Sequence, residues 1–265
     1  MKFELAVDRI VTGPFQENTF LIRDVFSQKA LIIDPGDDEN IIIDFINNKK
    51  LKPLAILNTH AHLDHIGAVS KLQKLFDLPF YLHKDEKMIL DTYEQSCEMF
   101  GVEVKQKPMV DFWISNHKNL TFDEFQVNII NTPGHTPGGV CYEFEEHIFV
   151  GDTLFHGSVG RTDLPGGSFS QLKDSLSNYK QLPHRMETIY KNNNLEIIND
   201  SKATNFDSSI AGISSIEGQI IIIAGGRLKG NEYSEWIKVL KKKVKCVFLF
   251  GESSKVLKMA LINEG

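Results

Sequence analysis

The stretch Thr59-His60-Ala61-His62-Leu63-Asp64-His65 brings three imidazoles and a carboxylate into seven consecutive residues. Neutral imidazole and carboxylate suit zinc, iron or manganese. Alternating residues of an extended loop point to one side, so His60 and His62 can grip one ion while Asp64 and His65 turn toward a second. The preceding Leu54 to Leu57 reads as a buried strand, which sets the cluster in a loop at a strand's C-terminal end, a common place for functional groups. Two further groups each follow a predicted strand and are flanked by glycines that let the backbone turn tightly: His135 in TPGHTPG (residues 132–138) and Asp152 in VGDTLF (residues 150–155). A carboxylate can bridge two cations, so Asp152 completes the set. The candidate metal ligands are therefore His60, His62, Asp64, His65, His135 and Asp152, with Asp64 and Asp152 as candidate catalytic carboxylates.

Outward from this cluster the first 182 residues alternate short strands with helices. Strands are predicted over 3–10, 19–22 and 30–33, the last ended by the turn Asp34-Pro35-Gly36. A helix follows from about 38 to 50, then helices over 67–76 and 84–100, and strands over 125–130 and 141–150. Beyond Leu182 a fresh alternation begins, with strands at 196–198, 220–224 and 244–250 and helices at 208–213, 233–241 and 253–263. The expected architecture is a sheet-and-helix scaffold carrying its ligands on loops.

Composition narrows the partners. The chain has 265 residues, 42% hydrophobic and 24% charged, the balance of an ordinary globular protein. A net charge of -6 argues against nucleic acid, whose phosphates demand a basic surface. Lys241, Lys242, Lys243 and Lys245 form the main cationic run, read as a solvated helix end. Cys97, Cys141 and Cys246 are scattered without a CxxC pair, which fits a reducing cytoplasm. No segment reads as a signal peptide or membrane span, so no membrane partner is expected. Nothing in the sequence speaks to oligomeric state.

These residues resemble the metallo-β-lactamase fold superfamily, and in particular its small glyoxalase-II-like hydrolases. THAHLDH, PGHTPG, GDTLF, GRTDLPGG (residues 160–167) and GPFQEN (residues 13–18) all match, in the family's order, over about residues 1–182. The resemblance implies an αββα sandwich. It implies one metal site made by His60, His62 and His135 and a second by Asp64, His65 and the bridging Asp152, holding one or two zinc ions or, in their place, iron or manganese. Arg161 and Asp163 are expected to brace their loop by an ion pair. The implied reaction is hydrolysis of a small-molecule thioester or related acyl bond, with water made acidic by the cations. A mononuclear iron enzyme of the persulfide dioxygenase type is the alternative, needing only His60, His135 and Asp152.

The family pattern breaks at its end. Members supply a further site-two histidine in a Pro-Gly-His-Gly turn after the helix expected at about 169–181, and this chain has no such turn. His184 is the one histidine further downstream. Instead LPHRME (182–187), INDSKATN (198–205) and IAGGRLKGNE (223–232) resemble, in order, the C-terminal domain of the peptidoglycan ligase that adds D-glutamate to UDP-N-acetylmuramoyl-L-alanine. That resemblance implies a Rossmann-like fragment in which Arg185 and Asp200 lie near a nucleotide, and Lys202, Thr204 and Lys229 near phosphate or the incoming amino acid. Lys and Arg beside a hydroxyl suit an anion. No G-x-x-x-x-G-K-[ST] loop occurs in the chain, so this tail is not expected to be a ligase alone. The expected domains are thus 1–182, a sandwich without its usual final elements, and 183–265. A fusion with impaired catalysis is the third reading.

Overall fold

Along Lys29–Ile33 four successive residues are buried, because this strand lies between two apolar layers. Ala30 and Ile32 join one core cluster, Leu31 and Ile33 the other. That division follows from the two-residue period of a strand. The structure, a computed structural model, describes residues 3–155, 158–178, 186–201, 203, 205–227 and 233–263. It divides into two compact units, Met1–Tyr179 and Lys180–Gly265.

The first unit opens with β1 (Leu5–Thr12), β2 (Glu17–Asp24) and β3 (Lys29–Ile33), then α1 (Glu39–Lys49), β4 (Lys52–Leu57), α2 (Leu63–Ile66) and α3 (Val69–Phe76). It continues through β5 (Phe80–His83), α4 (Lys87–Asp91), α5 (Tyr93–Phe100), β6 (Phe112–Ile114), β7 (Asn119–Phe122), β8 (Phe125–Asn131), β9 (Val140–Phe144) and β10 (His147–Phe149). The short pair β11 (Leu154–Phe155) and β12 (Ser158–Val159) and the helix α6 (Phe169–Ser177) complete it. One six-stranded sheet runs β1-β2-β3-β4-β5-β6, and a four-stranded sheet runs β10-β9-β8-β7. The first sheet is antiparallel through β3 and parallel from β3 to β6, each parallel step crossing over through helix.

Side chains sort by sheet face. Leu21, Ala30, Ile32, Ile56, Phe80 and Leu82 pack with α1, α3, α4 and α5. Ile22, Leu31, Ile33, Ala55 and Leu57 meet Phe125, Val127, Ile129, Val140, Tyr142 and Phe144 of the second sheet. The layering is helix, sheet, sheet. α6, with Leu172 fully buried, sits by the loop after β8, where Ser175 Oγ donates to the Pro133 carbonyl.

Two expected elements differ. The helix predicted over 84–100 is a 3-10 turn, Lys84–Glu86, followed by α4 and α5, with the break at Thr92. Thr92 Oγ1 donates to the Ile89 carbonyl at 3.0 Å, a local bond that competes with helix continuation. The strand predicted over 141–150 is the hairpin β9–β10, turned at Glu145 with φ 46°.

The second unit holds β13 (Glu187–Lys191), β14 (Glu196–Asn199), α7 (Phe206–Ser215), β15 (Ile220–Gly225), α8 (Ser234–Lys243), β16 (Val244–Phe250) and α9 (Ser254–Asn263). β15 and β16 pair in parallel. Ile220, Ile222, Val247 and Leu249 turn toward Ile213, Trp236, Leu240 and Leu257 of the helices. On the opposite face Ile221, Ile223, Phe248 and Phe250 are exposed, Ile223 at 73%. Parallel strands are ordinarily covered on both faces. Among the described residues no helix is long and apolar enough to cross a membrane.

Candidate metal centre

The site is built where β4, β8 and β10 end, and its histidines are oriented by partners outside the predicted set. Asp34, just past β3, accepts the Thr59 backbone N–H and the Thr59 hydroxyl, both at 2.7 Å. The Thr59 oxygen lies 3.0 Å from His60 Nδ1. Its one proton goes to Asp34, so that oxygen accepts from His60 Nδ1–H and leaves His60 Nε2 as a bare lone pair. His135 Nδ1 lies 2.7 Å from the Arg161 carbonyl, which can only accept. His135 Nε2 is therefore also a lone pair. The two nitrogens face each other at 3.3 Å, and His62 Nδ1 approaches His135 Nε2 at 2.9 Å.

Burial, reinforced by neighbouring imidazoles, pushes His62 down to about 3 and His60 well below its ordinary value. Burial likewise lowers His135. Three rings with lowered pKa values thus converge, two of them with unshared pairs inward, a pairing that repels itself unless a cation or a donor N–H from His62 lies between. A tetrahedral ion with bonds of about 2.1 Å spaces its nitrogen ligands about 3.4 Å apart, close to the His60–His135 separation. The residues fit a metal.

A second set of donors meets the first at His60. The donor atoms of His60, His65 and Asp152 lie within 4.8 Å of one another, as do those of His60, His62 and His135. His65 Nε2 is 3.3 Å from Asp152 Oδ1, and Asp152 Oδ2 is 3.6 Å from His135 Nε2, so this carboxylate spans both sets. His65 Nδ1 lies 3.1 Å from Asp34 Oδ2. Burial alone would depress His65, but Asp34, Asp152 and Asp64 outweigh it and raise it well above the usual range. Asp64 stands at the edge, its Oδ2 3.9 Å from His65 Nε2, with its carboxyl pushed up by burial. The loop itself is pinned: Asn58 Nδ2 donates to the His65 carbonyl at 2.6 Å, and Tyr142 Oη donates to the Asn58 carbonyl at 2.9 Å.

The sequence reading missed three buried carboxyls. Asp34 orients two histidines through Thr59 and by direct approach. Glu17, on β2, is pushed up to about 8 by burial and accepts the Thr12 hydroxyl at 2.5 Å. Glu86 accepts backbone N–H groups from both histidine loops. A signal existed only for Asp34, which, like the ligands, follows the end of a strand, here at a Pro-Gly turn. Arg161 and Asp163 form a two-pronged ion pair, at 2.8 and 2.7 Å, while the Arg161 carbonyl holds His135. In the tail, Asp200 accepts the Met186 N–H at 3.0 Å. His184, Arg185, Lys202, Thr204 and Lys229 lie outside the described residues.

A helix–sheet–sheet scaffold with paired imidazole and carboxylate donors on its loops defines a metallohydrolase class, and the chain belongs to it: residues 12–186 match the family model described as "Metallo-beta-lactamase superfamily". Over 172 residues it is 42% identical to the probable metallo-hydrolase YqgX of Bacillus subtilis, covering 63% of this chain and 80% of that one. It is 34% identical over 176 residues to the hydroxyacylglutathione hydrolase GloC of Haemophilus influenzae, covering 65% and 82%. Among solved structures, TTHA1623 in a di-iron-bound form superposes with a TM-score of 0.60 at 32% identity, covering 74% of this chain and 96% of that one. Residues 184–265 match a second family model, "Mur ligase, glutamate ligase domain". The chain is also similar to the UDP-N-acetylmuramoylalanine--D-glutamate ligase of Prochlorococcus marinus, 87% identical over 100 residues, 38% of this chain and 21% of that ligase. It spans about a fifth of that relative's length.

Proposed function

We propose that this metal-dependent hydrolase cleaves a small-molecule thioester or related acyl bond, with Asp152 shared between two ion positions. His60, His62 and His135 would hold one ion; His65, Asp152 and Asp64 would hold the other. The observation that carries the reading is the inward lone pairs of His60 and His135 at 3.3 Å, each fixed by a bond to its own Nδ1. When bound, such ions polarise a carbonyl and bring the pKa of a water toward neutrality.

The protein's own part is positional. Thr59 and the Arg161 carbonyl hold two rings in one tautomer, so neither competes for the ion with its own proton. Asp34 keeps His65 Nε2 turned toward Asp152. In the absence of an ion, the approach of His65 lowers the Asp152 carboxyl against its burial. The similarity to hydroxyacylglutathione hydrolases supports an S-acyl substrate. We place the boundary of the catalytic domain at Leu182–Pro183 and the protein in the cytoplasm, and assign no ligase activity to the tail.

The test is elemental analysis of purified protein alongside hydrolysis of S-lactoylglutathione. Zinc, iron or manganese at one or two per chain, with thioester cleavage lost on chelation and restored by the metal, is expected. Folded protein that refuses metal on titration would overturn the metal reading. One iron per chain with oxygen uptake and no thioester cleavage would move the assignment to the persulfide dioxygenase type.

A further inference from the structure

Glu86 sits in the 3-10 turn that follows β5, with no exposed surface at all. Its two oxygens serve different loops. Oε2 accepts the Ala61 N–H at 2.8 Å, and Oε1 accepts the Gly138 N–H at 2.7 Å. Ala61 lies between His60 and His62, and Gly138 lies three residues after His135. The first loop leaves the six-stranded sheet and the second joins β8 to β9 of the other sheet. One side chain therefore ties together the two loops whose nitrogens face each other.

The fit leaves no slack. A Cβ at Gly138 would lie 2.7 Å from His83 Nδ1, 2.9 Å from the Glu86 nitrogen and 3.0 Å from Glu86 Cγ, so any side chain there would push the His135 loop away. Such precision matters because metal ligands must be held within about 0.5 Å of their working positions.

We propose that Glu86 is a positioning residue for the metal centre, its paired oxygens fixing the span between the His60–His62 loop and the His135 loop. This rests on the metal-dependent reading above. Glu86→Gln is nearly isosteric, but its amide can accept only one of the two N–H groups and turns a donor on the other. Zinc affinity, read by chelator competition, should fall by about 10- to 100-fold, the usual effect of losing an outer partner of a metal ligand. The visible spectrum of the cobalt-substituted protein should change with it. A core variant beneath α1, Ile46→Ala, should lower the melting temperature while leaving affinity and spectrum alone. That contrast separates positioning from mere stability. Gly138→Ala keeps the carboxylate and displaces the loop from the other side, so it should shift the cobalt spectrum too, and it decides the matter if Glu86→Gln does not fold. If wild type loads metal and the folded variants match it in affinity and spectrum, the role of Glu86 is refuted and the hydrolase reading stands. If wild type takes up no metal, both fall.

Discussion

His60 belongs to both donor sets, and its ring centre lies 4.1 Å from that of His65 and 4.8 Å from that of His135. His62 belongs to one. Elemental analysis should therefore distinguish them: His60→Ala loses both ions, whereas His62→Ala keeps about one ion per chain on His60, His65 and Asp152, with Asp64 at the edge. Equal metal content in the two variants would contradict the sharing of His60. Away from the centre, Asp24 accepts N–H groups from Glu4, Phe26 and Ser27. Burial works against its charge, but these bonds hold it at about 2, below the ordinary 3.8. Its contribution is present above the unfolded value and lost as pH falls through 2. Asp24→Asn should cost about 1.5–3 kcal/mol at pH 7, and the gap to wild type should close in acid denaturation near pH 2. At this scale, the side chains that converge were legible because imidazole and carboxylate at short spacing have few other uses. Glu86 and Glu17 were not. Their roles depend on backbone groups brought near only by folding, and a lone Glu carries no local pattern.

The elements that carry the ligands depend on close backbone approaches. Gly134, one residue before His135, has φ 141°, and a Cβ there would lie 2.2 Å from the Leu172 nitrogen of α6. Gly134→Ala should destabilise the protein by more than about 1–3 kcal/mol and weaken metal binding, because the His135 loop must leave α6. Leu172→Ala, which empties a fully buried position, should cost about 2–5 kcal/mol in chemical unfolding. An unchanged midpoint for either would mean that α6 does not support the loop. Strands β1 to β4, β8 and the tail pair β15–β16 were legible from apolar runs of adequate length. β5, β6 and β7 were not, since three or four residues give too little period to read. The break at Thr92 escaped for another reason: the apolar spacing on its two sides is compatible with one helix, and only the threonine's bond to Ile89 interrupts it.

The first unit buries its apolar residues between its two sheets and beneath its helices, while the second leaves an apolar sheet face bare. Ile221, Ile223, Phe248 and Phe250 line up across a parallel pair, and contiguous exposed apolar surface promotes association. Ile223→Lys should shift thermal stability by no more than about 0.5 kcal/mol and reduce light scattering in concentrated solution. An unaltered tendency to associate would show that this face is not the cause. The change of sequence texture falls at Leu182, whereas the compact units divide at Tyr179–Lys180; the bare face was hidden, because Ile and Phe read as core until every neighbouring strand is counted. The strands of both larger sheets come from the first unit alone, and the second occupies the final 86 residues, Lys180–Gly265. At about 5–20 residues per second, a ribosome needs about 4–17 s to add them. During that interval the amino-terminal unit, about two thirds of the chain and already complete in its pairing partners, can close while the remainder is still being made.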